Sequence, residues 1–201
     1  MIAIVDYDAG NLRSVQKALD AIGAENKITG DAAEILAADK VILPGVGAFG
    51  DAMAQIRVLG LESVLKEVHA SGKPFLGICL GLQLLFERSE ESPGVEGLGI
   101  LEGEIKRIPD APGLKIPHIG WNSLDFPNPG RLFAGLNPQS YVYFVHSYYL
   151  EAKDPAIVTA TTEYGVHIHA SIESGNTFAC QFHPEKSSRV GFHILKNFVE
   201  L

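Results

Sequence analysis

Gly77-Ile-Cys79-Leu-Gly81 has the spacing of a nucleophile elbow, G-x-S-x-G, with a thiol in place of the hydroxyl. Such a turn is tight, so small residues two before and two after the nucleophile are needed to avoid collision. It presents the side chain at the carboxyl end of a strand and aims the first turn of the next helix at the sulfur. That helix end favours the thiolate, the nucleophilic form. Free cysteine is also among the most buried residue types, so the alternative for these five residues alone is a core position. The second stretch is His183-Pro184-Glu185. The proline biases His183 toward extended backbone, where residues i and i+2 face the same way. Glu185 can then hold one imidazole nitrogen while the other takes a proton from a thiol. H-P-E alone reads as a surface histidine beside a loop glutamate. Together with Cys79 it reads as a Cys–His–Glu triad.

Gly45-Val-Gly47-Ala-Phe-Gly50 matches G-x-G-x-x-G, but a dinucleotide fingerprint needs an acidic residue about 20 positions on, after the next strand. Here that strand runs to Cys79, and nothing acidic lies near its end. Pro44 and the position after a third strand also depart from the pattern. In a thiol enzyme the same glycines let backbone N–H groups approach a carbonyl oxygen, forming an oxyanion hole with the N–H of Leu80 as second donor. A competing constellation is zinc held by His167, His169, Cys180 and His183. Its spacing matches no familiar zinc pattern, and Cys180 and His183 point to opposite strand faces. No metal or cofactor is expected. His69, His118, His146 and His193 read as structural or exposed, and Cys180 as core.

These residues must be carried by elements legible in the same sequence. Apolar runs at 2–6, 25–28 and 41–43, and the run from Lys73 that leads to Cys79, read as strands. Between them lie helical stretches at 12–22, 32–38, 51–58 and 61–70, the first two capped by Asn11 and Asp31, after a turn at 8–11. Strands alternating with helices imply a mostly parallel sheet covered on both faces. The elbow helix is expected to reach Arg88. Beyond it the style changes to strands at 103–108, 141–150, 157–162, 166–173 and 177–182, the last two joined by a hairpin turn. A final helix runs from about 189 to 199. The fold class is therefore α/β, with an antiparallel-rich second half, in a single domain spanning 1–201.

Composition is that of a globular protein with a sizeable core. Of 201 residues, 46% are hydrophobic and 20% charged, and 16 Lys and Arg against 24 Asp and Glu leave a net charge of −8. That balance argues against wrapping nucleic acid or lying on an anionic membrane. No apolar run is long enough to span a bilayer. The chain enters a strand at once, leaving no room for a signal or transit peptide, and has only two cysteines, so a reducing, cytoplasmic setting is expected.

The elbow through Gln83, together with Phe182-His183-Pro-Glu185, resembles the class I (triad) glutamine amidotransferases. Further marks run in order along almost the whole chain: Asp6-Tyr-Asp-Ala-Gly-Asn11-Leu, Leu43-Pro-Gly-Val-Gly-Ala-Phe-Gly50, Pro117-His-Ile-Gly-Trp121-Asn122, Tyr143-Phe-Val-His146-Ser-Tyr148 and Phe182-His-Pro-Glu-Lys186-Ser. The resemblance implies Cys79, His183 and Glu185 as catalytic residues and backbone N–H groups near Val46 and Leu80 as the oxyanion hole. Gly45, Gly47, Gln83, Ser147 and Tyr148 would position glutamine. It further implies a heterodimer with a (βα)8-barrel cyclase/synthase subunit, contacted through Asn11, Trp121, Tyr143 and Lys186. Ammonia channelled to that partner would form imidazole glycerol phosphate and an aminoimidazole carboxamide nucleotide in histidine biosynthesis. Two alternatives stand beside this: an amidotransferase feeding another acceptor, and a catalytically silent regulatory subunit. For Trp121 simple core packing is the alternative.

Overall fold

In the computed structural model, which describes residues 1–8 and 10–201, the first half of the chain alternates strand and helix. β1 (Ile2–Val5), α1 (Leu12–Ile22), β2 (Asn26–Thr29), α2 (Ala32–Ala37), β3 (Lys40–Gly45), α3 (Phe49–Val58), α4 (Leu61–Ala70), β4 (Phe75–Cys79) and α5 (Leu80–Leu84) follow in order. Every residue of β1 and β4 is buried, as continuous apolar strands in a sheet covered on both faces must be. Asp31 caps α2 by accepting the Glu34 amide at 2.9 Å. Asn11 occupies the cap position of α1, but its side chain makes no capping bond. The turn expected at 8–11 includes Ala9, which lies outside the described residues.

The second half comprises β5 (Arg88–Ser89), β6 (Gly103–Arg107), β7 (His118–Leu124), β8 (Ser140–His146), β9 (Tyr148–Ala152), β10 (Val158–Glu163), β11 (His167–Ser174), β12 (Thr177–Cys180) and α6 (Ser188–Val199). The large sheet has the order β2-β1-β3-β4-β12-β11-β9-β6-β5, with β10 beside β11, while β7 and β8 form a separate ribbon. Pairing is parallel from β2 through β12 and antiparallel from β12 through β6. One apolar layer centres on Phe49, Leu65 and Leu82, the other on Phe178, Ile194 and Phe198. No helix among the described residues is long and apolar enough to cross a membrane.

Three elements depart from the expectations. The elbow helix stops at Leu84 instead of Arg88, because the carbonyls of Leu84, Leu85 and Glu87 accept the loop amides of Leu98, Ile100 and Gly97 at 2.8–2.9 Å. The strand expected over 141–150 is two strands that break at Ser147 and belong to different sheets; alternation continues through such a switch and cannot reveal it. The sequence does not signal β7, since Gly120 and the neighbouring prolines weaken its strand signature.

Candidate active site

β3, β4 and β12 are neighbouring parallel strands, so their carboxyl ends meet. Gly45 lies opposite Cys79 across β3 and β4, and Cys180 lies opposite Ile78 across β4 and β12. One sheet edge thus receives the glycine loop, the elbow and the histidine segment. This is where open parallel sheets place their ligands. Cys79 has φ +55°, a left-handed conformation rare outside glycine and costing about 1–3 kcal/mol. The neighbouring glycines make it possible. A Cβ on Gly81 would stand 1.8 Å from the Leu43 carbonyl oxygen, and one on Gly77 2.7 Å from that of Gly81.

Cys79 and His183 line a cavity of about 430 Å³. His183 Nδ1 pairs with Glu185 Oε1 at 2.8 Å, both side chains almost fully buried. Glu185 does not face the cavity and grips the imidazole from behind. The pairing arises differently from the expected extended segment: His183 is extended, and Pro184–Lys186 forms a single 3-10 turn. His183 Nε2 has no hydrogen-bond partner among the described residues, so that nitrogen is available to the sulfur's neighbourhood. Burial pulls the His183 pKa down, but interactions with Cys79 and then Glu185 outweigh it, leaving the imidazole raised to about 9. The site therefore favours an imidazolium beside the sulfur.

Of the other sequence-derived residues, Val46, Gly47, Leu80, Gln83, Ser147 and Tyr148 line the same cavity. Leu80 opens α5, where a helix leaves its first amides without internal partners. Gly45 does not line it: the residue is buried, and a Cβ there would lie 2.3 Å from the Tyr7 hydroxyl. It is a spacer under the loop. Tyr7 itself donates to the Pro44 carbonyl at 3.0 Å and anchors the loop from below. Lys186 also reaches the cavity. Trp121 and Tyr143 do not; they pair across the β7–β8 ribbon, ring centroids 6.1 Å apart. Trp121 is 51% exposed, which disposes of core packing. Asn11 stands in a separate groove with Asp6, Arg13 and Lys27.

Sequence reasoning missed two polar residues on the cavity wall. Glu91 lines it while its Oε2 accepts the Phe49 amide at 2.7 Å, and Ser92 Oγ accepts that of Gly50 at 2.9 Å. This remote cap lets α3 begin at Phe49, two residues earlier than expected. His146 is the other. Its Nδ1 lies 2.8 Å from the Tyr148 carbonyl, an obligate acceptor, so Nδ1 carries the proton. His118 Nδ1, 3.0 Å from His146 Nε2, must then donate. Burial lowers the two imidazoles to about 4 and about 3, respectively, which keeps this pair neutral. His118 stacks between Phe144 and Tyr164. The zinc alternative has no geometric support: His167 pairs with Glu163, His169 accepts the Ala152 amide, and no metal-holding group occurs among the described residues.

The family model for "Glutamine amidotransferase class-I" matches residues 3–201. The chain belongs to the class I glutamine amidotransferases. The amidotransferase is 56% identical to imidazole glycerol phosphate synthase subunit HisH of Moorella thermoacetica over 200 residues, covering 100% of this chain and 94% of that one. It is 52% identical to the subunit of the same name from Methanothermobacter thermautotrophicus over 201 residues, covering 100% and 98%. Among solved structures, a glutamine amidotransferase crystal structure aligns over 100% of both chains, with a TM-score of 0.78 at 19% identity. PurLQS from Thermotoga maritima aligns over 99% of the amidotransferase and 97% of its own chain, at 0.75 and 22%. Those two likenesses concern the fold.

Proposed function

We propose that the chain, residues 1–201 acting as one amidotransferase domain, is the glutaminase subunit of an imidazole glycerol phosphate synthase. Its role is to release ammonia from glutamine for histidine biosynthesis. The observation that carries this reading is the meeting of Cys79 and His183 in one cavity, with Glu185 holding the imidazole from behind, in a chain so similar over its full length to subunits of that name. Cys79 thiolate attacks the carboxamide carbon of glutamine, and amides near Val46 and Leu80 hold the oxyanion. His183 gives its proton to the departing nitrogen, the C–N bond breaks, and ammonia leaves a glutamyl thioester. His183 then takes a proton from water, which cleaves the thioester to glutamate. Gly47, Gln83, Ser147 and Tyr148 position the substrate, and the Glu91 carboxylate suits its ammonium group.

Ammonia passes to a (βα)8-barrel synthase subunit. β7 supports a docking role, because alternation puts Ile119 and Trp121 on one face, opposite Val145 and Tyr143 of β8, with Tyr141 beyond. Ile119, Trp121 and Tyr141 are each more than half exposed. The other ribbon face packs inward through Val142 and Phe144. Since Val145 also lines the cavity, a partner on this face covers the cavity's edge. The test combines the chain with a barrel synthase, its nucleotide substrate and either glutamine or ammonium. Glutamine is expected to support imidazole glycerol phosphate formation, Cys79→Ala to restrict it to ammonium, and the chain alone to hydrolyse glutamine poorly. Failure of glutamine where ammonium succeeds overturns the reading.

A further inference from the structure

Hydrogen-bond directionality determines which atom of Gln181 faces the nucleophile. The Tyr148 carbonyl can only accept, so the Gln83 side-chain nitrogen 3.2 Å away must donate to it. The same nitrogen lies 3.0 Å from Gln181 Oε1 and donates its other proton there. With its oxygen committed to Gln83, Gln181 turns its own Nε2 toward Cys79 Sγ, 3.6 Å away. The opposite orientation sets two amide nitrogens against each other and aims a carbonyl at the sulfur. Gln181 is fully buried, so an amide turned the wrong way would leave its own polar atoms without a compensating partner. His146 Nδ1 takes up the second lone pair of the Tyr148 carbonyl, so that anchor is saturated.

From this geometry we propose that Gln181 is a positioning residue for Cys79, a dedicated N–H donor that stabilises and aims the thiolate. The inference deepens the glutaminase reading and rests on Cys79 being its nucleophile. A donor directed at a charged acceptor favours the charged form. Gln181 adds no proton to the reaction; His183 does that. Its part is to hold the sulfur in the strained elbow before glutamine arrives.

The test is alkylation of Cys79 by iodoacetamide in the full-length chain, followed by peptide mass spectrometry across a range of pH. Three titratable groups besides the target lie near enough to this sulfur to interact with it: His183, Tyr7 and Cys180. Gln181→Met keeps all three and most of the volume, but removes the donor. Its rate profile is expected to move toward higher pH, with alkylation at neutral pH about tenfold or more slower and the same plateau at high pH. Gln181→Glu should slow it further by adding a like charge. A Met variant with the native profile overturns the proposal, as does one whose plateau falls without displacement. If the Met variant does not fold, side-chain amide NMR of the native chain reads the same bond. The Gln181 Nε2 protons should shift on alkylation of Cys79, and unmoved protons overturn the proposal. Alkylation needs neither synthase nor ammonia transfer, so loss of the glutaminase reading registers separately.

Discussion

His183 is where the local balance of forces is most legible. Burial opposes its charge, yet Cys79 and Glu185 together leave it raised to about 9. A base whose folded pKa lies above its unfolded value of about 6.5 binds more protons when folded. Its contribution to stability is therefore complete below pH 6.5 and is lost as pH rises through about 9. Glu185→Gln, which keeps the volume but not the charge, should shrink that alkaline loss, as read by denaturant midpoints between those pH values. It should also lower glutaminase kcat by on the order of 10²–10⁴-fold, because the imidazolium loses its buried counter-charge. An unchanged pH slope counts against the assignment. The triad was legible because each part is declared locally, by flanking glycines or by i,i+2 spacing. Glu91 and Gln181 carry no such signature: one arrives from a distant loop and the other directly follows an apolar strand.

Among the elements, the β4–α5 elbow bears the tightest constraint. Gly81 faces the Leu43 backbone of the adjacent strand, which cannot yield as a flexible side chain could. Gly81→Ala should therefore destabilise the chain by roughly 3 kcal/mol or more, with the denaturant midpoint at neutral pH as the measurement. Full stability in that variant would mean that β3 and α5 are less closely apposed. The β7–β8 ribbon shows a different logic. Its inward face is occupied by Phe144 and the neutral His118–His146 pair, and its outward face is left apolar and bare. The sequence marked Trp121 and Tyr143 individually through resemblance, whereas the ribbon that pairs them emerged only from the fold.

Across the whole molecule, the parallel strands place the triad, and the ribbon supplies part of the cavity wall and a surface beside it. Trp121→Ala should leave the isolated chain's thermal midpoint nearly unchanged, since the indole is half exposed. Its affinity for the barrel synthase, measured by calorimetry, should fall about tenfold or more if the indole anchors that interface. A large fall in the midpoint with unchanged affinity would assign Trp121 to the fold instead. The net charge of −8 adds a weaker expectation, that any protein docking here avoids an acidic face.

From the sequence alone came the parallel α/β first half, the antiparallel-rich remainder, the elbow, the H-P-E pair and the glycine loop, because all of these are written in local spacing and periodicity. Only the tertiary structure could bring β12 beside β4, split the 141–150 run between two sheets, and show Gly45 as a spacer and not a wall. Those outcomes depend on contacts between segments far apart in the chain, where hydrogen-bond partners and backbone clearances are decided by neighbours. The direction of the Gln181 amide is the sharpest instance. It follows from a carbonyl that can only accept, 33 residues back along the chain and brought within reach by folding.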